Sequence, residues 1–207
     1  MVHIALPPPD PPRRLSPEHV LVPEGTWLFR IFDPASRHRP GPLTFRYLGP
    51  GARFDHHRGT GGVEDRGIYY AGLTLDCAVV EAFDIGVVQP GTKHLARVRP
   101  TRELTLLHLR GRVAMRAGTV AAIASADHRL SQQWARCVYE TPATYGDVDG
   151  IFYASAHNGD DAAALFERAD GALDCPPGHD APLTDPAVLT AVRRSALAHG
   201  LVVLPPS

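Results

Sequence analysis

The chain has 207 residues, 44% of them hydrophobic and 21% charged, enough to build one sizeable core in one large folded unit. A formal net charge of -1 supplies no field that would gather nucleic acid or an acidic membrane surface. No apolar run approaches a membrane-crossing length, the N-terminus lacks a basic-then-apolar leader, and Cys77, Cys137 and Cys175 form no CxxC pair, which together predict reduced thiols in a soluble, cytoplasmic protein.

Residues 1–25 are dense in proline and predict an extended, polyproline-like arm, ordered only where something docks it. The folded domain is expected over 26–207. It opens with "TWLFRIFDP", whose Trp27, Phe29 and Ile31 alternate as in a half-buried strand. Residues 35–66 are rich in Gly, Pro and Arg and read as loops around short strands. "GIYYAGL" is a strand, and "TLDCAVVEAFDIG" a short helix with Thr74 or Asp76 as its N-cap and Gly86 near its end. Two strands follow in 94–111, then one or two helices in 119–140 with Trp134, Cys137 and Val138 at helical spacing. "DGIFYASAH" and "AAALFER" are strands. A last helix begins near Pro186 and stops at Gly200, and "LVVL" is a final strand. The mixed order, without a steady βαβα alternation, predicts an α+β fold.

The familiar catalytic loops are missing: there is no Walker loop, GxSxG, HExxH or dinucleotide fingerprint. "DHH" at 55–57 invites a metal reading. Adjacent histidines on an extended segment point to opposite faces, however, and no second cluster has ligand spacing, so no metal is expected. Three residues stand out against their surroundings. Arg30 lies between large apolar residues, where a strand-edge arginine reaching water is an equal reading. Glu81 sits among Val79, Val80, Ala82 and Phe83; either it is an exposed position of an amphipathic helix or it faces a cleft. Ser155 ends an apolar strand, and taken singly it reads as a turn serine capping local backbone.

Taken together, these residues resemble the landmarks of the RES domain family, named for an arginine, a glutamate and a serine in that order. The resemblance runs through "LFRIF", "GPLTF…GARFD", "RGIYYAGLTLDCAVVEAF", "QQWARCVYE", "DGIFYASAHNG" and "AAALFER", covering about residues 26–168. The chain departs from it at "HHRGTGGVEDR". The resemblance implies an ADP-ribosyltransferase-like mixed β core with short flanking helices, and an NAD-consuming toxin neutralised by an antitoxin with a helix-turn-helix domain. Some members degrade NAD by hydrolysis or phosphorolysis, and others transfer ADP-ribose to a protein acceptor.

The chemistry fits one carboxylate. Breaking the nicotinamide–ribose bond builds positive charge on the ribose, as in glycosidases. Nicotinamide departs neutral, so no second carboxyl is needed as an acid. Under the resemblance Glu81 stabilises that charge, Arg30 and Arg53 hold the pyrophosphate, Tyr70 stacks on nicotinamide, and Ser155 bonds the ribose or positions Glu81. Tyr69, on the opposite face of the strand, is assigned to packing. Two other functions stay open: modification of a protein, with 55–66 or 170–185 as a recognition loop, and a non-catalytic NAD-binding module. The 55–66 insertion is expected as a solvated surface loop, although its arginines and histidines would suit a phosphate pocket.

Overall fold

A computed structural model describes residue 8 and residues 14–83 and 86–205. The first half contains β1 (His19–Val22), β2 (Leu28–Phe32), β3 (Arg46–Leu48), β4 (Val63–Gly72), α1 (Leu75–Ala82), β5 (Val87–Val88), β6 (His94–Pro100) and β7 (Leu104–His108). After two 3-10 turns come α2 (His128–Glu140), α3 (Pro142–Tyr145), β8 (Gly150–Ala154), β9 (Asp161–Phe166), β10 (Leu173–Asp174), β11 (Asp180–Pro182), α4 (Pro186–Ala198) and β12 (Val202–Val203). Ten strands form one sheet along the path β1-β7-β8-β9-β4-β2-β6-β10, with β11 on β6 and β3 on β4. Only β7 and β8 run parallel within it; the other pairs are antiparallel. The fold is α+β, as the element order predicts.

The central runs Ile68–Gly72, Gly150–Ala154 and Ala162–Phe166 carry no charged residue because both faces of the sheet are covered there. Successive side chains alternate between two cores. Ile68, Ile151, Tyr153, Ala162, Ala164 and Phe166 join the core beneath α2, while Tyr69, Phe152, Ala163 and Leu165 join the core on the other face. Helix α2 turns Ser131, Trp134, Ala135 and Val138 inward, an i, i+3, i+4, i+7 stripe. A third, smaller core gathers Val79 and Phe83 around α1 with Val192 and Ala196 of α4. The chain end returns to this core, since β12 pairs parallel with β5 just beyond α1.

Three expectations meet a different arrangement. Much of the proline-rich arm lies outside the described residues, but its last part is docked: β1 pairs with β7, and the Arg116 guanidinium donates to the Ser16 carbonyl and hydroxyl. The 170–185 segment, one of two that could serve as a recognition loop if the chain modified a protein, is largely tied down, because β10 and β11 both pair with β6. The 55–66 insertion is solvated only in part. Asp55, His56, His57 and Arg66 are buried, Val63 onward belongs to β4, and the exposed positions are 58–61, Val63 and Asp65. No helix among the described residues is long and apolar enough to cross a membrane.

Candidate active site

The sheet is nearly parted in its middle. β2 and β4 share one registered pair, Phe29 with Gly72. Beyond it β2 continues on β6, and β4 continues on β3. A cavity of about 730 Å³ occupies this parting, lined by residues of β2, β3, β4 and α1 and by parts of the 36–53 and 153–162 segments. Helix α1 closes one side. It is started by the Thr74 hydroxyl, which accepts from the Cys77 amide at 3.0 Å, a cap worth about 1 kcal/mol. It approaches the sheet over Gly72, where a Cβ would lie 2.8 Å from the Ala78 nitrogen and 2.8 Å from Cys77 Cβ.

Arg30, Arg53, Tyr70 and Glu81 all line this cavity. The Arg30 guanidinium lies 4.3 Å from the Tyr69 ring centroid and donates to the Thr44 carbonyl at 2.7 Å. Tyr69 is fully buried and donates to the Pro42 carbonyl at 2.8 Å. Its packing role is therefore also a platform for Arg30. Arg53 donates to the Ala126 carbonyl, which anchors the guanidinium at the cavity edge near the start of α2. The Tyr70 hydroxyl donates to Asp55 at 2.8 Å and accepts from the Phe54 amide at 3.0 Å. Burial, with the Asp55 charge beside it, pushes this phenol well above its usual range, so Tyr70 stays a neutral ring with its hydroxyl pinned.

Glu81 is exposed and, among the described residues, it is the one carboxylate on the cavity wall. Of the two readings left open by the sequence, its helix position is solvent-exposed and also faces the cleft. Tyr153 lines the same cavity while only 5% exposed. Burial, then the nearby Glu81 charge, raises its phenol far above the ordinary value. Arg46, Tyr153 and His157 are wall residues that sequence reasoning missed; the inward alternation of β8 was the available signal for Tyr153. Ser155 does not line the cavity. It is buried, and its hydroxyl accepts from the His157 amide at 3.2 Å. Its amide donates to the Asp160 carbonyl at 2.8 Å. The serine therefore caps a turn that carries His157. That turn is linked to the start of α1, because the Thr74 hydroxyl also donates to the Asp160 carboxylate at 2.7 Å.

The buried end of the insertion lies behind this wall. Both Asp55 oxygens accept from one terminal nitrogen of Arg46 at 2.7 and 2.8 Å, and the carboxylate also accepts from the Gly51 and Ala52 amides at 2.5 and 2.9 Å and from Tyr70. Burial raises its carboxyl, but the Arg46 charge and these hydrogen bonds outweigh burial and hold it below the usual range. His56 shares Glu167 at 2.8 Å, and His57 meets the Arg46 carbonyl at 3.2 Å. Both histidines are buried and neither lines the cavity, which counts against the alternative in which they help form a phosphate pocket there. No group of three His, Cys, Asp or Glu able to hold a metal occurs among the described residues.

The architecture is that of an α+β domain with a cleft opened in its own sheet, walled among the described residues by arginines, tyrosines and one carboxylate. Residues 28–185 match the RES domain family, and the chain belongs to it. A probable toxin from Sinorhizobium fredii is 39% identical over 93 residues, covering 42% of this chain and 68% of that protein. The crystal structure of the M. tuberculosis MbcT-MbcA toxin-antitoxin complex contains a chain with a similar fold. Its TM-score is 0.53 at 13% sequence identity, over 84% of this chain and 92% of that one.

Proposed function

We propose that this chain is the toxin of a toxin–antitoxin pair, and that it destroys NAD by breaking the nicotinamide–ribose bond in the cavity between β2 and β4. Membership in the RES family, the relative named a probable toxin, and the shared fold with a protein solved as a toxin–antitoxin complex support the toxin reading. The observation that carries the chemistry is Glu81, the one wall carboxylate among the described residues, in one cavity with Arg30, Arg53 and Tyr70. As the bond breaks, its electron pair leaves with the nicotinamide nitrogen and the ribose carbon gains positive charge. Glu81 stabilises charge that exists only then, which is what accelerates a reaction. Arg30 and Arg53 offset the two pyrophosphate charges, and the pinned Tyr70 ring offers a face to nicotinamide. Ser155 acts through the turn that carries His157. Water then adds to the ribose carbon and loses a proton, giving ADP-ribose.

A toxin of this kind needs a partner that silences it, and we expect an antitoxin with a helix-turn-helix domain that binds over the cavity mouth. The purified protein is incubated with NAD alone and then with added phosphate, and the products are read by mass spectrometry. ADP-ribose with nicotinamide in both reactions is expected. ADP-ribose 1-phosphate appearing only with phosphate would change the acceptor. Absence of nicotinamide in both would end the NAD-breakdown reading.

A further inference from the structure

Two cavity-lining side chains, and the turn that carries a third, converge on a carboxylate that does not itself reach the cavity. Asp55 is fully buried. It binds the guanidinium of Arg46, the hydroxyl of Tyr70, and the amides of Gly51 and Ala52, which belong to the turn carrying Arg53. An ionised carboxylate offers about four lone-pair positions, and these contacts use them all. Asp55 has no acceptor capacity left for a substrate, so it cannot serve as a second carboxylate in the chemistry. Its partners, in contrast, are wall groups whose orientation decides how a flat ring and a pyrophosphate would be received.

We infer that Asp55 is the positioning residue of the cavity wall, fixing the Tyr70 ring and the Arg53 turn in their binding geometry before substrate arrives. The inference rests on the NAD reading of the same cavity. The Tyr70 hydroxyl is held from two directions, by Asp55 at 2.8 Å and by the Phe54 amide at 3.0 Å, which sets the ring as well as the oxygen. Arg53 lies one residue beyond Ala52, whose amide is fixed 2.9 Å from Asp55. Arg46 balances the buried charge, and its second nitrogen donates to the Leu48 carbonyl at 2.5 Å, tying β3 to the same point. An asparagine of equal size would present an N–H to a ring of donors and would leave Arg46 without its charge partner.

Stacking and pyrophosphate contacts persist from ground state to transition state, so their disturbance raises KM more than it lowers kcat. Asp55→Asn is therefore expected to raise KM for NAD by about tenfold or more with kcat held within about threefold. A purely structural role would instead shrink the folded fraction, lowering apparent kcat at constant KM, and that result overturns the inference. If Asp55→Asn does not fold, Tyr70→Phe takes its place, since it keeps the ring and the Arg46–Asp55 pair. A KM rise of about threefold or more is then expected, and an unchanged KM overturns the inference. Calorimetric binding of ADP-ribose separates this claim from the NAD reading. Wild type that binds ADP-ribose but releases no nicotinamide from NAD refutes NAD breakdown alone. Weaker ADP-ribose binding by Asp55→Asn then still supports its hold on the Arg53 turn, and equal binding refutes it. Wild type that fails to bind ADP-ribose overturns both.

Discussion

Gly72→Ala probes how helix α1 is held against the sheet. Gly72 is the β4 partner of Phe29 at the single rung joining β2 to β4, and α1 crosses directly over it. The new Cβ would stand 2.8 Å from the Ala78 nitrogen, 2.8 Å from Cys77 Cβ and 2.9 Å from the Thr74 carbonyl. Comfortable contacts need about 3.5–4.0 Å, so the first turn of α1 must rise by roughly 0.7 Å. Two of the three obstructing atoms are backbone, and no rotamer change relieves them. Overpacking of this kind costs about 1–3 kcal/mol, offset by about 0.4–1 kcal/mol from the stiffer unfolded chain. The net loss of roughly 1–2 kcal/mol lowers Tm by about 2–8 °C in a domain of this size. Glu81 rides on the same helix, and a displacement near 1 Å at a reacting centre costs up to about a hundredfold in rate. The variant should therefore lose about tenfold to a hundredfold in kcat for nicotinamide release, with KM nearly unchanged because Arg30, Arg53 and Tyr70 are not on α1. Differential scanning calorimetry and steady-state kinetics on one preparation check both parts. A wild-type Tm would show that the approach is looser than the distances imply, and a lowered Tm with wild-type kcat would separate Glu81 from catalysis.

Glu81→Gln keeps the side-chain shape and removes the charge, so kcat should fall by at least about a hundredfold; a fully toxic variant in a growth assay would remove Glu81 from the mechanism. Arg30→Ala should raise KM for NAD with little change in kcat, because the pyrophosphate contact is made in both ground and transition states; a fall in kcat at constant KM would move Arg30 to the reacting centre. Acid should destabilise the fold in two stages. Burial lowers the folded pKa of His56 and His57 beneath their ordinary 6.5, so the unfolded chain takes up protons first and stability is lost as pH falls below about 6.5. For Glu167, burial raises the carboxyl, but hydrogen bonds from His56 and Tyr139 outweigh it and hold it at about 2 against an ordinary 4.5. Its contribution is thus complete above about 4.5 and lost toward about 2. Urea midpoints that stay level from pH 7 to pH 5 would refute the histidine stage.

What the sequence made legible follows from the range of the forces involved. Helix α1 could be read because its cap and period are local: Thr74 bonds the amide three residues on, and Cys77–Val80 form a buried run. The strands β2, β4, β8 and β9 were legible from apolar alternation and turn residues. Arg30, Arg53, Tyr70 and Glu81 meet in one cavity because the family pattern marks residues far apart in the chain. Asp55 and Arg46 were not legible in their roles, since each depends on a partner across an irregular loop. In sequence, "DHH" looked like ligands or solvated polar residues. In the fold it is the buried end of a segment pinned by Arg46, Tyr70 and Glu167. Ser155 failed to reach the wall for a local reason: its hydroxyl is used on the amide two residues on. β1 escaped notice because its partner β7 lies far along the chain and the surrounding prolines dominate its composition.

The near-parting of the sheet has a thermodynamic side. Hydrogen-bonded ladders transmit cooperativity from strand to strand, and here the ladder between β2 and β4 narrows to one rung, Phe29 with Gly72. The strands on either side, β6 with its neighbours and β3 with β4, are otherwise tied across the gap by side chains: α1 packs on both β2 and β4, and Leu28 and Val98 share a core with Tyr69 and Leu165. Such a join, with few backbone bonds across it, is where opening at a free energy below that of global unfolding is expected. A molecule seated in the gap touches both flanks at once and adds the cross-links that the backbone omits. Its binding energy therefore couples the flanks into one cooperative unit and protects their amides together from hydrogen exchange. Cleaving that molecule within the cavity would divide the brace, leaving each product to hold only the side it still touches.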